Sequence, residues 1–273
     1  MFRDLLVHVE GNEARRDCAR LATDLARRTD ARLTGLHIRP PAAVSPHYKP
    51  SQVEAALARS AARLAANARV AKRIFEDEVR ALSDARWFEG EGDVADGIVL
   101  RARFADLVIL EHDEWQDPLE VHVLPVAHTV VLRCGRPVLV VPVGVASSVF
   151  PKVAVAWDGS REAVRAVHDA LPLLKMAQTV HLVAVIEPSD TTIDADVNDL
   201  VAHLTHHGVS IEAKVECAQN YDEHRALQRN IDEGSYDLVV MGGYSHPRWM
   251  EFIFGGSTIM ALLSSNIPVF ISH

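Results

Sequence analysis

Cysteine is scarce in this sequence, with three residues in a chain of 273. Cys18, Cys134 and Cys217 lie far apart and form no C-x-x-C motif. This spacing argues against a disulfide framework and against a zinc site built on cysteines. The low cysteine content fits a protein of the reducing cytosol.

A basic surface is missing as well. The chain has 28 Lys and Arg against 37 Asp and Glu, and no basic run. Nucleic acids and anionic membranes are bound by basic faces, so neither is expected as a partner. The first apolar run, Leu5 to Val9, is too short for a signal-peptide core and far below the roughly 20 residues of a membrane span. We therefore expect a cytoplasmic protein.

The common catalytic motifs are also absent. The chain contains neither a G-x-x-x-x-G-K-[ST] loop nor a G-x-S-x-G elbow. A glycine-rich segment near the C-terminus carries no lysine, and His246 and Arg248 are its only basic side chains. Phosphoryl transfer needs a carboxylate-held metal, for which Asp158 is the one obvious candidate. No catalytic residue is predicted, and a weak ATPase is kept as an alternative.

What the sequence does contain is a repeat. The segment "DLLVHVEGN" near the N-terminus aligns with "KVAVAWDGS" in the middle of the chain, which places Gly11 on Gly159. Further on, "ADLVIL" aligns with "YDLVVM", and the two copies continue without a gap to their last strands, with Asp106 on Asp237. The pattern predicts a tandem duplication. Its domains are 1–146 and 147–273, because the small and polar segment "VGVASSVFP" between them is typical of a linker.

Each half predicts an α/β fold. Five strands alternate with four helices, and the strands are near-continuous apolar runs, which is typical of a parallel sheet covered by helices on both faces. The result is a doubly wound, Rossmann-like domain in each half. The first half adds a proline-rich loop from Pro40 to Pro50 and a long helix from about Ser51 to Asp84.

Three segments of the second half resemble a known family. They are "AWDGS" at Ala156 to Ser160, the segment "MGGYSHPRWMEFIFGGST", and the closing "PVFIS". In this combination the chain resembles the universal stress protein family in its tandem two-domain form. In that family the final strands pair across a dimer axis. The resemblance therefore implies that "RPVLVVPV" and "IPVFISH" pair within this chain as a pseudo-dimer, and a homodimer of the whole chain is left open.

The resemblance also implies a nucleotide site in the second half. The family's phosphate loop has a glycine, two residues, a glycine, nine residues, a glycine, and then Ser or Thr. Counted from Gly242, these four positions hold Gly242, Ser245, Gly255 and Gly256. Ser257 and Thr258 follow directly. The ligand would be ATP or another adenine nucleotide, with Mg²⁺ as a possible companion. The other residues that the resemblance implies are Ala156, Trp157 and Asp158 facing adenine and ribose, Val185 lining the pocket, and Met241 beginning the phosphate cradle.

The chemistry of the loop agrees with this role. Glycines followed by Ser257 and Thr258 at the start of a helix offer converging N–H donors to a phosphate. Ser245 stands against it, since a residue with a Cβ pays about 1–2 kcal/mol for a left-handed conformation. The structural alternative is a tight strand-to-helix connection. Likewise, Asp158 could cap the next helix or act as a base, and Trp157 could stack on a base or cover the end of the sheet.

The first half lacks every feature of this loop. The aligned positions hold Glu111, Glu114, Leu124 and Pro125, and Asp113 adds a further negative charge. Polyphosphate would be repelled there, so we expect a non-binding partner domain with a solvated acidic loop. The predicted function is that of a cytoplasmic stress-response protein whose second domain binds a nucleotide in a regulatory role. A nucleotide-free interaction scaffold is the other alternative.

Overall fold

The computed structural model describes residues 1–43, 49–112, 126–186, 193–217, 223–243 and 266–273. The chain divides into two compact units. The first unit comprises residues 2–136 and 143–146, and the second comprises residues 137–142 and 147–273 together with Met1. Across the described ranges, no helix is long and apolar enough to cross a membrane.

The first unit alternates strands and helices along the chain. Its strands are β1 (Asp4–His8), β2 (Arg32–Arg39), β3 (Ala85–Glu91) and β4 (Leu107–Glu111). Its helices are α1 (Arg16–Thr29), α2 (Pro50–Glu78), α3 (Val94–Ala102) and α4 (Val126–Cys134). The strands form a parallel sheet in the order β3-β2-β1-β4. The inner strands β1 and β4 are apolar and buried, whereas the edge strand β3 is partly exposed.

The second unit is built in the same way. Its strands are β5 (Val138–Val141), β6 (Lys152–Trp157), β7 (Thr179–Ile186), β8 (Ile211–Cys217), β9 (Leu238–Gly242) and β10 (Val269–Ser272). Its described helices are α5 (Arg161–Leu174), α6 (Ile193–His206) and α7 (Glu223–Gly234). The strand order is β5-β10-β9-β6-β7-β8, and every described pair is parallel except β5 with β10.

The last strand of the first repeat belongs to the second unit. β5 pairs antiparallel with β10, with Leu139 opposite Phe270. Both side chains are fully buried. The pairing covers strand edges that would otherwise present unpaired N–H and C=O groups. It confirms that the two proline-led final strands pair with each other within one chain.

The duplication is visible in backbone contacts. Asp106 precedes β4 and its Oδ2 accepts from the N–H of Asp4 at 3.0 Å, at the start of β1. Asp237 precedes β9 and its Oδ2 accepts from the N–H of Lys152 at 2.8 Å, at the start of β6. In both units the aspartate therefore ties the beginnings of two neighbouring parallel strands together.

The predicted fold class is confirmed. The first half has its five strands and four helices in the expected order, and in the second half the helix expected before β10 lies outside the described residues. The bounds of the long helix are partly wrong. α2 ends at Glu78 instead of Asp84, because a short 3-10 turn at Val79–Ala81 leads the chain into β3.

Helix α2 packs very closely on the first sheet. A Cβ at Gly35, in the middle of β2, would lie 2.6 Å from the ring of Phe75 on α2. Phe75 is buried and its ring contacts that of Trp87, with ring centroids 5.3 Å apart. Only glycine permits this approach, so Gly35 determines how close α2 lies to the sheet.

We expect Gly35→Ala to destabilise the first unit by about 1–3 kcal/mol, because the added methyl group would overpack a rigid aromatic contact. Gly90→Ala is the matched control, since a Cβ there would meet only the flexible end of Ile38, at 2.8 Å. The free energy of unfolding in urea measures both effects. Equal stability of the two variants would contradict the packing described for α2.

Candidate functional site

The carboxyl ends of β6 and β9 lie side by side in the second unit. The two strands are parallel neighbours, with Val155 opposite Val240. From β6 the chain continues through β7 to β8 on one side, whereas β9 and β10 lie on the other side. The boundary between β6 and β9 is therefore the topological switch point of the sheet, where open α/β sheets bind ligands.

Asp158 and Ser160 shape the turn that leaves β6 at this point. The Oδ1 atom of Asp158 accepts a hydrogen bond from the N–H of Ser160 at 3.0 Å, and Gly159 between them has a φ of +71°. Ser160 caps α5, because its Oγ accepts from the N–H of Ala163 at 3.1 Å. The helix cap is thus Ser160 and not Asp158, whose exposed side chain lies at the edge of the sheet.

β9 ends against the first turn of α5. A Cβ at Gly242 would lie 2.4 Å from the backbone nitrogen of Ala163 and 2.6 Å from the carbonyl carbon of Glu162. No residue with a side chain fits at this distance, so glycine is required for packing at this position. The contact holds the end of β9 and the start of α5 together beside the turn of Asp158.

A buried carboxylate lies next to this contact. The side chain of Glu162 is 9% exposed, and its Oε1 accepts from Nε and Nη2 of Arg161 at 3.0 and 2.7 Å. Burial acts to raise the pKa of Glu162, but its own backbone N–H, Arg161 and the charge of His273 together lower the pKa below its ordinary value. Glu162 is therefore an anion at neutral pH.

The C-terminal residues close the other side of β9. The N–H of Gly243 donates to the carbonyl of Ser272 at 2.9 Å, and Nδ1 of His273 donates to the carbonyl of Gly243 at 2.9 Å. The hydroxyl of Ser272 donates to Oδ2 of Asp169 on α5 at 2.9 Å. Both backbone groups of Gly243 are thereby engaged where the glycine-rich segment begins.

The structure brings part of the predicted site to this edge. Ala156 and Trp157 are consecutive strand residues, so their side chains point to opposite faces. Trp157 and Met241 are buried, at 9% and 3% exposure. Trp157 therefore covers the sheet and does not share a face with Ala156. Val185 lies in β7 directly after Ala184, which is opposite Trp157 in the sheet. The remaining predicted residues lie outside the described residues: Ser245, Gly255, Gly256, Ser257 and Thr258.

The corresponding edge of the first unit carries charges of both signs. Arg15 pairs with Glu10, with Nη1 and Oε1 2.8 Å apart, and with Glu111, with Nε and Oε2 3.5 Å apart. The side chain of Glu111 is 4% exposed. The expectation of a solvated acidic loop is therefore wrong for Glu111, since its charge is buried and compensated by Arg15. The other aligned residues of this loop lie outside the described residues: Asp113, Glu114, Leu124 and Pro125.

Sequence reasoning missed two histidines at this first edge. Nδ1 of His37 donates to the carbonyl of Val9 at 2.8 Å, and the ring of His37 is parallel to that of His8, with centroids 6.2 Å apart. Burial, and to a lesser degree the charge of His37, lowers the pKa of His8 to about 3. A signal was present, because each histidine interrupts an apolar strand near its carboxyl end.

Sequence reasoning also missed a second way to place the phosphate-loop pattern. Counted from Gly243 instead of Gly242, the four positions hold Gly243, His246, Gly256 and Ser257. Three of them agree with the pattern, whereas two agree in the count from Gly242. The count from Gly243 does not include Gly242, which packs against α5. In this count the one position that differs from the family's pattern is His246, where the pattern has glycine.

Comparison with known proteins supports the same fold. Residues 1–142 match the model of the universal stress protein family. The crystal structure of a universal stress protein from Archaeoglobus fulgidus DSM 4304 aligns with 98% of this chain and 95% of its own, at 17% identity and a TM-score of 0.74. A putative universal stress protein from Pseudomonas aeruginosa UCBPP-PA14 aligns with 99% and 93%, at 17% identity and a TM-score of 0.60. No curated protein sequence matches the chain.

Fold and repeat together define a tandem α/β protein of the Rossmann-like class. The chain belongs to the universal stress protein family, since the family model covers more than half of its length. That match falls on the first half, although the motifs that first suggested the family lie in the second. The first repeat has thus kept the sequence pattern of the family without the glycine loop.

The imidazole of His8, which is half-buried and has a buried Nε2 atom, predicts a loss of stability in acid. Its pKa in the folded protein, about 3, lies below its unfolded value of 6.5, so the unfolded chain binds more protons between these values and the free energy of unfolding falls as the pH falls. Between about pH 7 and pH 4.5, we expect the free energy of unfolding to fall by about 1–3 kcal/mol less in His8→Phe than in wild type.

Urea unfolding at the two pH values tests this prediction. The matched control is His206→Phe, which removes an exposed imidazole from α6 and should leave the acid-induced loss unchanged. An equal loss in wild type and His8→Phe would show that His8 is not buried in its neutral form.

Proposed function

We propose that the second unit binds an adenine nucleotide, with ATP as the first candidate, in a regulatory and non-catalytic role in a stress response. One observation carries the proposal. The switch point between β6 and β9 has the exposed carboxylate of Asp158 on one side and the start of the glycine-rich segment, Gly242 and Gly243, on the other. Ligands of doubly wound sheets bind at such a point.

The segment after β9 has the chemistry that a phosphate needs. It begins at Gly243 and leads through Gly256, Ser257 and Thr258 into the apolar run "IMALLSS". Backbone amides at the start of a helix donate to phosphate oxygens, and the helix dipole favours their negative charge. Glycine allows the backbone to approach closely, and the hydroxyls of Ser257 and Thr258 add donors.

The described edge supports recognition of the nucleoside part. Asp158 can accept hydrogen bonds from ribose hydroxyls or an adenine amino group, while Ala156 beside it leaves space for a ring. Val185 lies at the same end of β7.

Mg²⁺ would accompany the nucleotide. It is usually held by phosphate oxygens, waters and one or two carboxylates, and Asp158 offers one carboxylate at this edge. The described part of the chain contains no group of three or more His, Cys, Asp or Glu side chains suited to a metal ion. The low cysteine content favours a cytoplasmic location for this function.

Calorimetric titration with ATP and Mg²⁺ tests the proposal. Wild type should bind, and Gly256→Val should abolish binding, because Gly256 is at the third glycine position of the loop counted from Gly243 and a valine there would keep the backbone from approaching a phosphate. Asp158→Ala should weaken binding about tenfold or more, since a hydrogen bond to a charged group contributes about 1.5–3 kcal/mol. Asp77→Ala on α2 of the first unit is the control and should bind as wild type does.

The same samples separate the alternatives. Phosphate release that disappears in Asp158→Ala would indicate a weak ATPase. Absence of binding in a folded wild-type protein would contradict the proposal and favour a nucleotide-free scaffold. Asp158→Asn keeps the acceptor for the Ser160 N–H, so its affinity should lie between those of wild type and Asp158→Ala.

A further inference from the structure

A cavity of about 190 Å³ lies in the first unit at the amino ends of β1, β2 and β3. The ligands of doubly wound sheets bind at the carboxyl ends of the strands, so this cavity is a separate place in the fold. Four charged side chains line it: Asp4 on β1, Arg32 on β2, Arg86 on β3 and Arg101 on α3. Three of these four side chains are cations, which indicates an anionic ligand.

The pleat of the strands brings the lining to one face of the sheet. Thr34 in β2 lies opposite Arg86 in β3. Arg32 is two residues before Thr34, and Phe88 is two residues after Arg86. Because alternate residues of a strand point to the same face, all four share one side of the sheet. It is the side of α3, since the guanidinium of Arg101 lies over the ring of Phe88, whereas α2 packs on the opposite side.

Arg101 supplies a positive charge that no described carboxylate compensates. Its guanidinium carbon lies 3.9 Å from the centroid of the Phe88 ring, and within the described ranges it forms no ion pair. Contact with the ring restrains the guanidinium, so little side-chain freedom is lost when its N–H groups bind an anion. Arg101 is therefore the expected anchor of the ligand.

The other charges of the cavity are matched in pairs. Oδ1 of Asp4 pairs with Nη2 of Arg32, and Oδ1 of Asp84, which does not line the cavity, lies 3.9 Å from Nε of Arg86. Asp106 also does not line the cavity, and its Oδ2 accepts from two backbone N–H groups. With Asp84 counted, one positive charge is therefore in excess among the described lining residues.

Arg32 has donors left for the same anion. A guanidinium carries five N–H donors, and Asp4 pairs with Nη2 of Arg32. Nε of Arg32 is buried and has no hydrogen-bond partner among the described residues. A buried donor that stays unpaired costs free energy, so a ligand oxygen that reaches this guanidinium gains affinity.

The apolar part of the wall accommodates a single ring. Leu6, Phe88 and Phe104 contribute to it, and Phe104 is 77% exposed. A cavity of about 150 Å³ in another protein binds benzene, so the larger volume here accommodates a six-membered ring with one small substituent. A ring bound there would cover part of Phe104, and removal of this apolar surface from water favours binding.

We propose that this cavity binds a small aromatic carboxylate. The carboxylate accepts hydrogen bonds from Arg101 and Arg32, and the ring lies against Leu6 and Phe104. Such a site does not depend on the nucleotide proposed for the second unit, because it lies in the first unit and at the amino ends of the strands.

Benzoate is the probe, and its binding to the full chain is measured by ligand-observed NMR at neutral pH and low salt. Benzamide has the same ring without the charge, and acetate has the charge without the ring. Arg101→Gln removes the anchor. Its matched control is Arg103→Gln, because Arg103 is an exposed arginine two residues away that does not line the cavity. Phe104→Ala removes the exposed ring, and Leu100→Ala is its control, since Leu100 is 56% exposed and lies outside the lining.

Benzoate should bind to wild type with a Kd of about 1 mM or lower, and benzamide and acetate should each bind about fivefold more weakly or worse. Arg101→Gln should weaken benzoate binding about tenfold or more and Phe104→Ala about threefold or more, whereas both controls should bind as wild type does. Absence of benzoate binding, equal affinity for benzamide, or equal affinities of Arg101→Gln and Arg103→Gln would overturn the proposal. Each of these outcomes stands whether or not ATP binds to the second unit.

Discussion

The contact between the end of β9 and the first turn of α5 is the constraint on which the candidate site depends. Gly242 lies so close to Ala163 and Glu162 that no side chain fits between them. The contact fixes the end of β9 beside the turn of Asp158, which Ser160 joins to α5 by its cap. The glycine-rich segment thus starts from a fixed position at the switch point of the sheet. A ligand that bridges β6 and β9 would therefore need little reorganisation of these two strand ends.

The two units show how one duplicated fold can carry different chemistry. Both units have the same hydrogen bond between neighbouring strands. The aspartate before β4 accepts from a backbone N–H at the start of β1, and the aspartate before β9 accepts from one at the start of β6. Their carboxyl edges differ. The first presents two carboxylates around Arg15, the buried imidazole of His37 and the half-buried imidazole of His8, while the second presents Asp158 and a run rich in glycine. The phosphate that we propose for the second unit suits a glycine-rich segment, and we expect the carboxylates of the first edge to repel it.

Much of the architecture could be predicted from the sequence, because it depends on local patterns. Apolar runs identified the parallel strands, whereas the β5–β10 pair was implied by the resemblance to the family. The edges were harder to predict. Glu111 was expected in solvent, but its burial depends on Arg15, which lies nearly a hundred positions away in the chain. His8, and the glycines that admit α2 and α5, likewise depend on which elements meet in space. A single sequence does not encode such contacts in any short motif.

The central claim is that backbone amides after β9 hold an adenine nucleotide in the second unit. Mass spectrometry of the small molecules released on denaturation, after gentle isolation without added nucleotide, tests it most directly. The account predicts an adenine nucleotide in near-stoichiometric amount from wild type and none from folded Gly256→Val. Wild-type protein that releases no nucleotide and takes up none from a mixture of adenine nucleotides would contradict it.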